Sequence, residues 1–285
     1  MTQLGEKIQI HLDNPDSEDC PFCPGKETKH EWTTFKGADN SGSKLRKAMN
    51  DPARNSFAQQ RGAKPKDGVY PNQNKDSPAS PQMPKGSSSI YNHSEHGDYG
   101  NEAHHCISGN EIMKGESIEK EITKGDKYKG DTGYTINNCA NGVFLPSYPT
   151  KYKGSWAVKS DDEKYEIMKH VMDAGKGQVH IGGHTGHNGD GGKDYPNMIK
   201  EELTAIQKKI VEKSEECPFC VEGGGKPKKP FVPPYKVNQW LDNLSKQIER
   251  KLTSQAKSWP YFISKYAKKY HKEQTADLPD PLDDF

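Results

Sequence analysis

The tetrapeptide Cys-Pro-Phe-Cys occurs twice, at 20–23 and at 217–220. A C-x-x-C turn presents two thiolates from one tight loop, and two such turns complete the four-sulfur tetrahedron of a zinc ion. The two copies are far too distant in sequence for a compact finger. Cys20, Cys23, Cys217 and Cys220 therefore predict a structural Zn²⁺ that staples an N-terminal arm to the segment following residue 214. A staple matters here because hydrophobic residues are only 30% of the 285 and the mean hydropathy is -1.07. Apolar burial alone holds a chain this polar poorly, and a metal can offset the deficit. Disulfides among the same cysteines are one rival reading. Thiol–disulfide exchange is another, although it needs a single pair at the start of a helix that follows a strand. Cys106 and Cys139 are left as plain buried thiols or as a disulfide with each other.

Composition divides the chain into four parts. Residues 1–35 form the arm, with an alternating K-I-Q-I-H segment that reads as a strand. Residues 36–90 are rich in proline, glycine and serine, with little to bury, and read as an extended or disordered linker or as a long arm wrapped over a core. Residues 91–216 carry the sharpest signals. Ser160, acids in the next three positions and Gly175 bracket a helix over 161–174, and Met198, Leu203, Ile206 and Ile210 mark a second over 196–214. Residues 217–285 hold the second C-x-x-C. Beyond it Trp240, Leu241, Leu244, Ile248 and Leu252 recur at helical spacing, with an interruption near Pro260. Five lysines (Lys257, Lys265, Lys268, Lys269, Lys272) without an intervening acid make this end basic. It is a candidate nucleic-acid contact, together with Lys226, Lys228 and Lys229, or simply a solvated helix face. No apolar run approaches the ~20 residues that span a bilayer. The N-terminus lacks the basic-then-apolar pattern of a signal peptide. No membrane partner is expected.

The chemistry lies in the histidines, of which there are eleven. Residues 103–106 read A-H-H-C, and 180–184 read H-I-G-G-H. A metal-assisted hydrolase needs ligands for an ion, a base for water, and a group that fixes the tautomer of that base. Adjacent strand residues point to opposite sides, so a His-His pair can aim one ring at an ion and the other at water. His104, His180 and His184 make a three-nitrogen site, with His105 left as general base. A carbonyl from Asn141, in N-C-A-N-G-V-F-L-P, is the candidate that holds the N–H of His105. On a helix His180 and His184 would share a face. The glycines from 182 to 192 argue instead for a ligand-bearing loop. His187, in H-T-G-H, is a substitute for either ligand.

A-H-H, then N-G-V-F-L-P, then H-I-G-G-H ahead of a Tyr-bearing helix start (D-Y-P-N-M-I-K-E-E-L) resembles the AHH nucleases of the HNH and endonuclease VII superfamily. The order is also similar to that of the colicin-type DNases. The resemblance covers roughly residues 91–210. It implies an α+β chain with a ββα-metal (His-Me finger) core, additional helices and the zinc-stapled arm. It implies His104 and His180 as ligands, His184 as a third ligand or phosphate contact, His105 as base and Asn141 as its orienter. It also implies a setting: a bacterial polymorphic toxin or type VI secretion effector. Such a protein is secreted or injected, acts in the cytoplasm of a target cell, and is countered by an immunity protein. The stretch between Leu145 and His180 is longer than in short family members.

The expected activity is metal-dependent endonucleolytic cleavage of DNA, with RNA open, and with little sequence specificity because contacts go mainly to phosphate. Mg²⁺ is the expected ion, with Mn²⁺, Zn²⁺ and Ni²⁺ as alternatives. The products would be a 5′-phosphate and a 3′-hydroxyl. The rival is a non-enzymatic zinc-ribbon module that binds nucleic acid or protein. A zinc peptidase ranks low because Ile181, not glutamate, follows His180.

Overall fold

The computed structural model describes residues 40–50, 91–122, 132, 134–187, 189, 192–216, 221–222, 226–227 and 236–276. The four C-x-x-C cysteines, the K-I-Q-I-H segment, Lys228, Lys229 and most of 36–90 lie outside these residues. In chain order the elements are α1 (Gly42–Asn50), β1 (Tyr91–His93), β2 (Gly97–His105), α2 (Ser117–Ile122) and β3 (Gly142–Pro149). They continue with α3 (Asp161–Asp173), α4 (Tyr195–Glu216), the short pair β4 (Val221–Glu222) and β5 (Lys226–Pro227), α5 (Lys236–Thr253) and α6 (Lys265–Thr275). This mixed architecture, with a small antiparallel sheet among helices, fits a nuclease fold.

The three main strands pair antiparallel in the order β1-β2-β3. Gly97, at φ 70°, closes the β1–β2 hairpin opposite His93. In the β2–β3 ladder His104 faces Val143 and His105 faces Gly142. Seven of the eight β3 residues are buried, as expected of a strand covered on both faces. α1 and α5 both pack against it. A Cβ on Gly142 would come within 2.5 Å of Met49 Sδ, which shows how closely α1 lies.

The limited apolar content is concentrated in three clusters. The largest joins Ile112, Ile118 and Ile122 to one face of α4 (Ile199, Leu203, Ile206) and of α5 (Leu241, Leu244, Ile248). α5 therefore shares a core with α4, although a domain boundary at 216–217 separates them in the sequence reading. The second packs α3 (Met168, Val171) against Tyr99, Phe262 and Tyr266. The third is Leu45 and Met49 of α1 with Phe144.

α3 starts one residue after Ser160, as its capping signals predict. Ser160 Oγ accepts from the Glu163 N–H at 3.2 Å while Glu163 Oε2 accepts from the Ser160 N–H at 2.8 Å. This capping box satisfies two otherwise orphaned donors. The Asp161 and Asp162 side chains then pair with Lys265 and Lys269 of α6. Two of the C-terminal lysines that read as nucleic-acid contacts are thus engaged within the fold.

α1 is the departure. It falls in the segment read as an extended or disordered linker or as an arm laid over a core, and it is helical. Leu45 and Met49, spaced i and i+4, give it one apolar face, and that face covers Phe144. Leu45→Ala is expected to destabilise the protein by about 2–3 kcal/mol in urea unfolding. A change within ±0.5 kcal/mol, the value for a solvated linker, would show that α1 does not dock.

Candidate active site

β2 ends on the histidine pair, and the two rings reach different partners. His104 is 1% exposed and its Nε2 lies 3.2 Å from the Tyr195 hydroxyl, at the start of α4. That hydroxyl also lies 2.7 Å from the Cys106 carbonyl. A carbonyl only accepts, so the Tyr195 O–H donates to it, and the hydroxyl oxygen accepts from His104 Nε2–H. Burial pushes the Tyr195 phenol well above its ordinary value, so it keeps this proton. His104 is thereby fixed with a lone pair on Nδ1, a buried nitrogen that has no hydrogen-bond partner.

His180 and His184 come from the glycine-rich loop between α3 and α4, not from a helix. Gly182 and Gly186 take left-handed φ values of 86° and 76°, which side chains with a Cβ rarely adopt. The loop is hitched to the sheet by the His180 N–H, which donates to the Pro146 carbonyl at 2.8 Å. His180 Nδ1 lies 2.9 Å from Glu102 Oε2, and His184 Nδ1 lies 2.8 Å from Glu111 Oε2. The bonds to His180 and His184 hold both carboxyls below their ordinary range, so both are carboxylates that accept from Nδ1–H. The two Nε2 atoms then face each other at 3.1 Å. Two nitrogens bound to one tetrahedral ion at ~2.05 Å would sit roughly 3.3 Å apart.

His104, His180 and His184 each offer one nitrogen, all within 4.8 Å of one another. The donor set fits a divalent ion on three grounds. His104 Nδ1 has a free lone pair in a dry site. The facing lone pairs of His180 and His184 repel unless a cation or proton sits between them. Each of the latter two rings is backed by a carboxylate, the usual outer partner of a metal-bound imidazole. Burial drives the His104 pKa well below the usual histidine value, and the neighbouring His184, His180 and His105 rings add to this. The ring is therefore neutral, as a ligand must be.

His105 is buried and its Nε2 is 3.0 Å from Asn137 Oδ1. The same oxygen accepts from the Ser41 N–H at 3.1 Å, which identifies it as the carbonyl side of the amide. His105 Nε2 thus carries the proton and Nδ1 is free to take one. Burial lowers the His105 pKa, opposed by the Asn137 bond and reinforced by His180 and His184.

Asn141 does not make the contact expected of it. Its amide is fully buried, with Oδ1 accepting from the Ile107 N–H at 2.8 Å and the Ser245 hydroxyl at 2.9 Å. Its Nδ2 donates to the Ile107 and Ile136 carbonyls, each at 2.9 Å. All four hydrogen-bonding positions are taken, and the asparagine on His105 is Asn137. His187 donates Nε2–H to the Gly183 carbonyl at 2.9 Å and stays outside the cluster. Cys106 is a free thiol, and burial raises its pKa well above the ordinary value.

Glu102, Glu111, Asn137 and Ser41 escaped the motif reading. Glu102 had a usable signal, two residues before His104 on one strand and so on the same side. Glu111 and Ser41 had none, because a fold brings them in from outside the motifs.

Residues 87–217 match the model of a nuclease family of the HNH/ENDO VII superfamily with conserved AHH. The matched span is just under half of the chain. It contains His104, His105, His180 and His184 and excludes α1, α5 and α6. Comparisons with curated proteins and with solved structures found no match.

Calorimetric titration with Ni²⁺ is expected to show one more equivalent bound by the wild type than by a His180→Ala/His184→Ala double variant. Tyr195→Phe, which removes the acceptor for His104 Nε2–H, is expected to weaken that extra site about tenfold. Equal stoichiometry in wild type and double variant would mean that these imidazoles hold no ion. Asn141→Ala is expected to cost about 3 kcal/mol or more in unfolding, because it strands buried backbone groups.

Proposed function

We propose that the protein is a metal-dependent endonuclease that hydrolyses phosphodiester bonds, with DNA as its substrate. The observation that carries this reading is the pairing of a three-imidazole ion site with a neutral, oriented histidine on the adjacent residue. The match of residues 87–217 to a nuclease family supports it. The ion would be held by His104 Nδ1, His180 Nε2 and His184 Nε2, and would supply Lewis acidity to a phosphate oxygen and to the departing oxygen.

This chain's own residues perform the remaining steps. Glu102 and Glu111 hold His180 and His184 in the tautomer that turns Nε2 inward. Tyr195 holds His104 in the other tautomer, with the proton on Nε2 and the Nδ1 lone pair left for the ion. Asn137 keeps the His105 proton on Nε2, so that Nδ1 accepts a proton from the water that attacks phosphorus. A base whose pKa lies below the usual histidine value is ready in its unprotonated form at neutral pH.

Three imidazole donors suit Zn²⁺ or Ni²⁺ better than Mg²⁺, which prefers oxygen ligands. The donor set thus favours transition ions over the Mg²⁺ expected from the sequence. The setting we assign is that of an antibacterial effector, injected or secreted, which degrades DNA in the target cytoplasm and is held in check by an immunity protein. The support for that setting is the order of the A-H-H, N-G-x-x-L-P and H-x-x-x-H motifs.

Plasmid cleavage is expected from the wild type with added Ni²⁺ or Mn²⁺, falling at least ~100-fold in His105→Ala. Asn137→Ala should fold normally and lose about tenfold or more in rate. Cytoplasmic production of the wild type in bacteria is expected to arrest growth and degrade DNA, while His105→Ala is tolerated. Equal cleavage by wild type and His105→Ala would refute the assignment of the base.

A further inference from the structure

From the end of β3 towards α3 runs Y-P-T-K-Y-K-G-S-W-A-V-K, residues 148–159, with three lysines, three aromatics and no acid. It is built from short 3-10 turns, Thr150–Tyr152 and Trp156–Val158. Tyr148 and Trp156 stack with ring centres 5.0 Å apart and planes 16° from parallel. Lys151 and Lys159 both sit over the Tyr152 ring, at 4.9 and 4.8 Å. Lys151 and Lys153 are exposed, and so is Val158, at 85%.

A second group of imidazoles adjoins this segment. His93 of β1, His96 of the hairpin turn and His170 of α3 lie ring against ring, with centres 4.3 to 5.0 Å apart. His96 Nδ1 is 2.9 Å from the Tyr152 hydroxyl, and the Lys151 ammonium donates to the Glu95 carbonyl. Burial lowers the His96 pKa, and His170, His93 and Lys151 lower it further, against Glu95 alone. A lowered pKa leaves His96 neutral at neutral pH, so the cations of this surface are its lysines and the His96 ring is a polar, flat neighbour to them.

We infer that the Tyr148–Lys159 segment and the adjoining His93, His96 and His170 form a binding surface for the phosphate backbone of nucleic acid, flanking the site of cleavage. The inference rests on the nuclease reading above and adds where the substrate runs. Lysines among stacked aromatics suit a strand whose phosphates need cations and whose bases need flat partners. The position also fits. His180 is bonded to the Pro146 carbonyl, and Tyr148 follows two residues later, about 7 Å along the strand. Nucleic acid held at Tyr148 and Trp156 therefore reaches the imidazole cluster within a few nucleotides. Lys265 and Lys269 of α6 are already paired with Asp161 and Asp162, and Lys159 with Glu163, which leaves the exposed Lys151 and Lys153 as the cations of this surface.

The test is fluorescence anisotropy of a labelled oligonucleotide without added divalent metal, alongside metal-dependent hydrolysis of bis(p-nitrophenyl) phosphate. That small diester needs the imidazole site but no extended surface. Lys151→Gln/Lys153→Gln should weaken binding about tenfold and reduce the slope of log K against log salt by about two. Trp156→Ala should weaken single-stranded binding about tenfold. Lys265→Gln/Lys269→Gln should bind as the wild type does, and all variants should hydrolyse the small diester at the wild-type rate. The inference is overturned if the two lysine pairs matter equally, or if diester hydrolysis falls with DNA binding. Failure of the wild type to bind DNA, or equally tight binding to poly-glutamate, overturns it as well. DNA binding through Lys151 and Lys153 with no hydrolysis of either substrate would uphold the surface and sink the nuclease reading.

Discussion

The fully buried amide of Asn141 is the joint on which the site depends. Its four hydrogen bonds tie the residue after the A-H-H-C stretch (Ile107), the segment before β3 (Ile136) and α5 (Ser245) into one unit. An amide has two lone pairs and two N–H groups, and here every one is used in a water-free setting. Such a group is worth more for what its loss would strand than for its own net bonding. The joint lies immediately beyond His105, where β2 and β3 meet. It fixes the end of β2, and with it the direction of His104, and the turn that carries Asn137 to His105.

Around that joint the electrostatics are arranged for a cation that arrives without disturbing the fold. Three imidazoles face inward, and two carboxylates, Glu102 and Glu111, stand behind two of them. A divalent ion would bring two positive charges to a place already flanked by two negative ones. Glu102 is about half exposed and Glu111 about a third, so neither charge is trapped in an apolar interior when no ion is present. His104 is different. It is buried with an unpaired nitrogen, a cost that a bound cation would remove.

The pattern of the sequence shows the imidazoles and hides what holds them. His104, His105, His180 and His184 are recognisable because their spacing is local. The helices at 161–173 and 195–216 are recognisable because caps and apolar periodicity are local too. Asn141 and Asn137 were interchangeable by that standard, four residues apart in one polar turn, and only the register of the β2–β3 ladder decides which carbonyl meets His105. The ligand loop was legible in its glycines, since Gly182 and Gly186 adopt backbone angles that a helix excludes. α1 was hidden for the opposite reason. Its two apolar residues are too few to outweigh the polar, proline-rich run around them, and it is a helix because Phe144 and Gly142 offer it a surface.

α1 and α5 lie outside the span that matches the nuclease family, yet both reach the site. Ser41, just ahead of α1, gives its N–H to the Asn137 carbonyl that orients His105. Ser245 of α5 gives its hydroxyl to Asn141, and Trp259, past the end of α5, sets its ring edge against Tyr195 behind His104. The ligands and the base come from the matched span, while the groups that hold them at the correct angle come partly from its flanks. This division is what a polar chain requires. The polar joint at Asn141 is completed from outside residues 91–216, because one of its four partners, Ser245, belongs to α5. The flanking segments act as the outer wall of the active site, and the chemistry at His105 depends on a helix whose sequence carries no chemical motif at all.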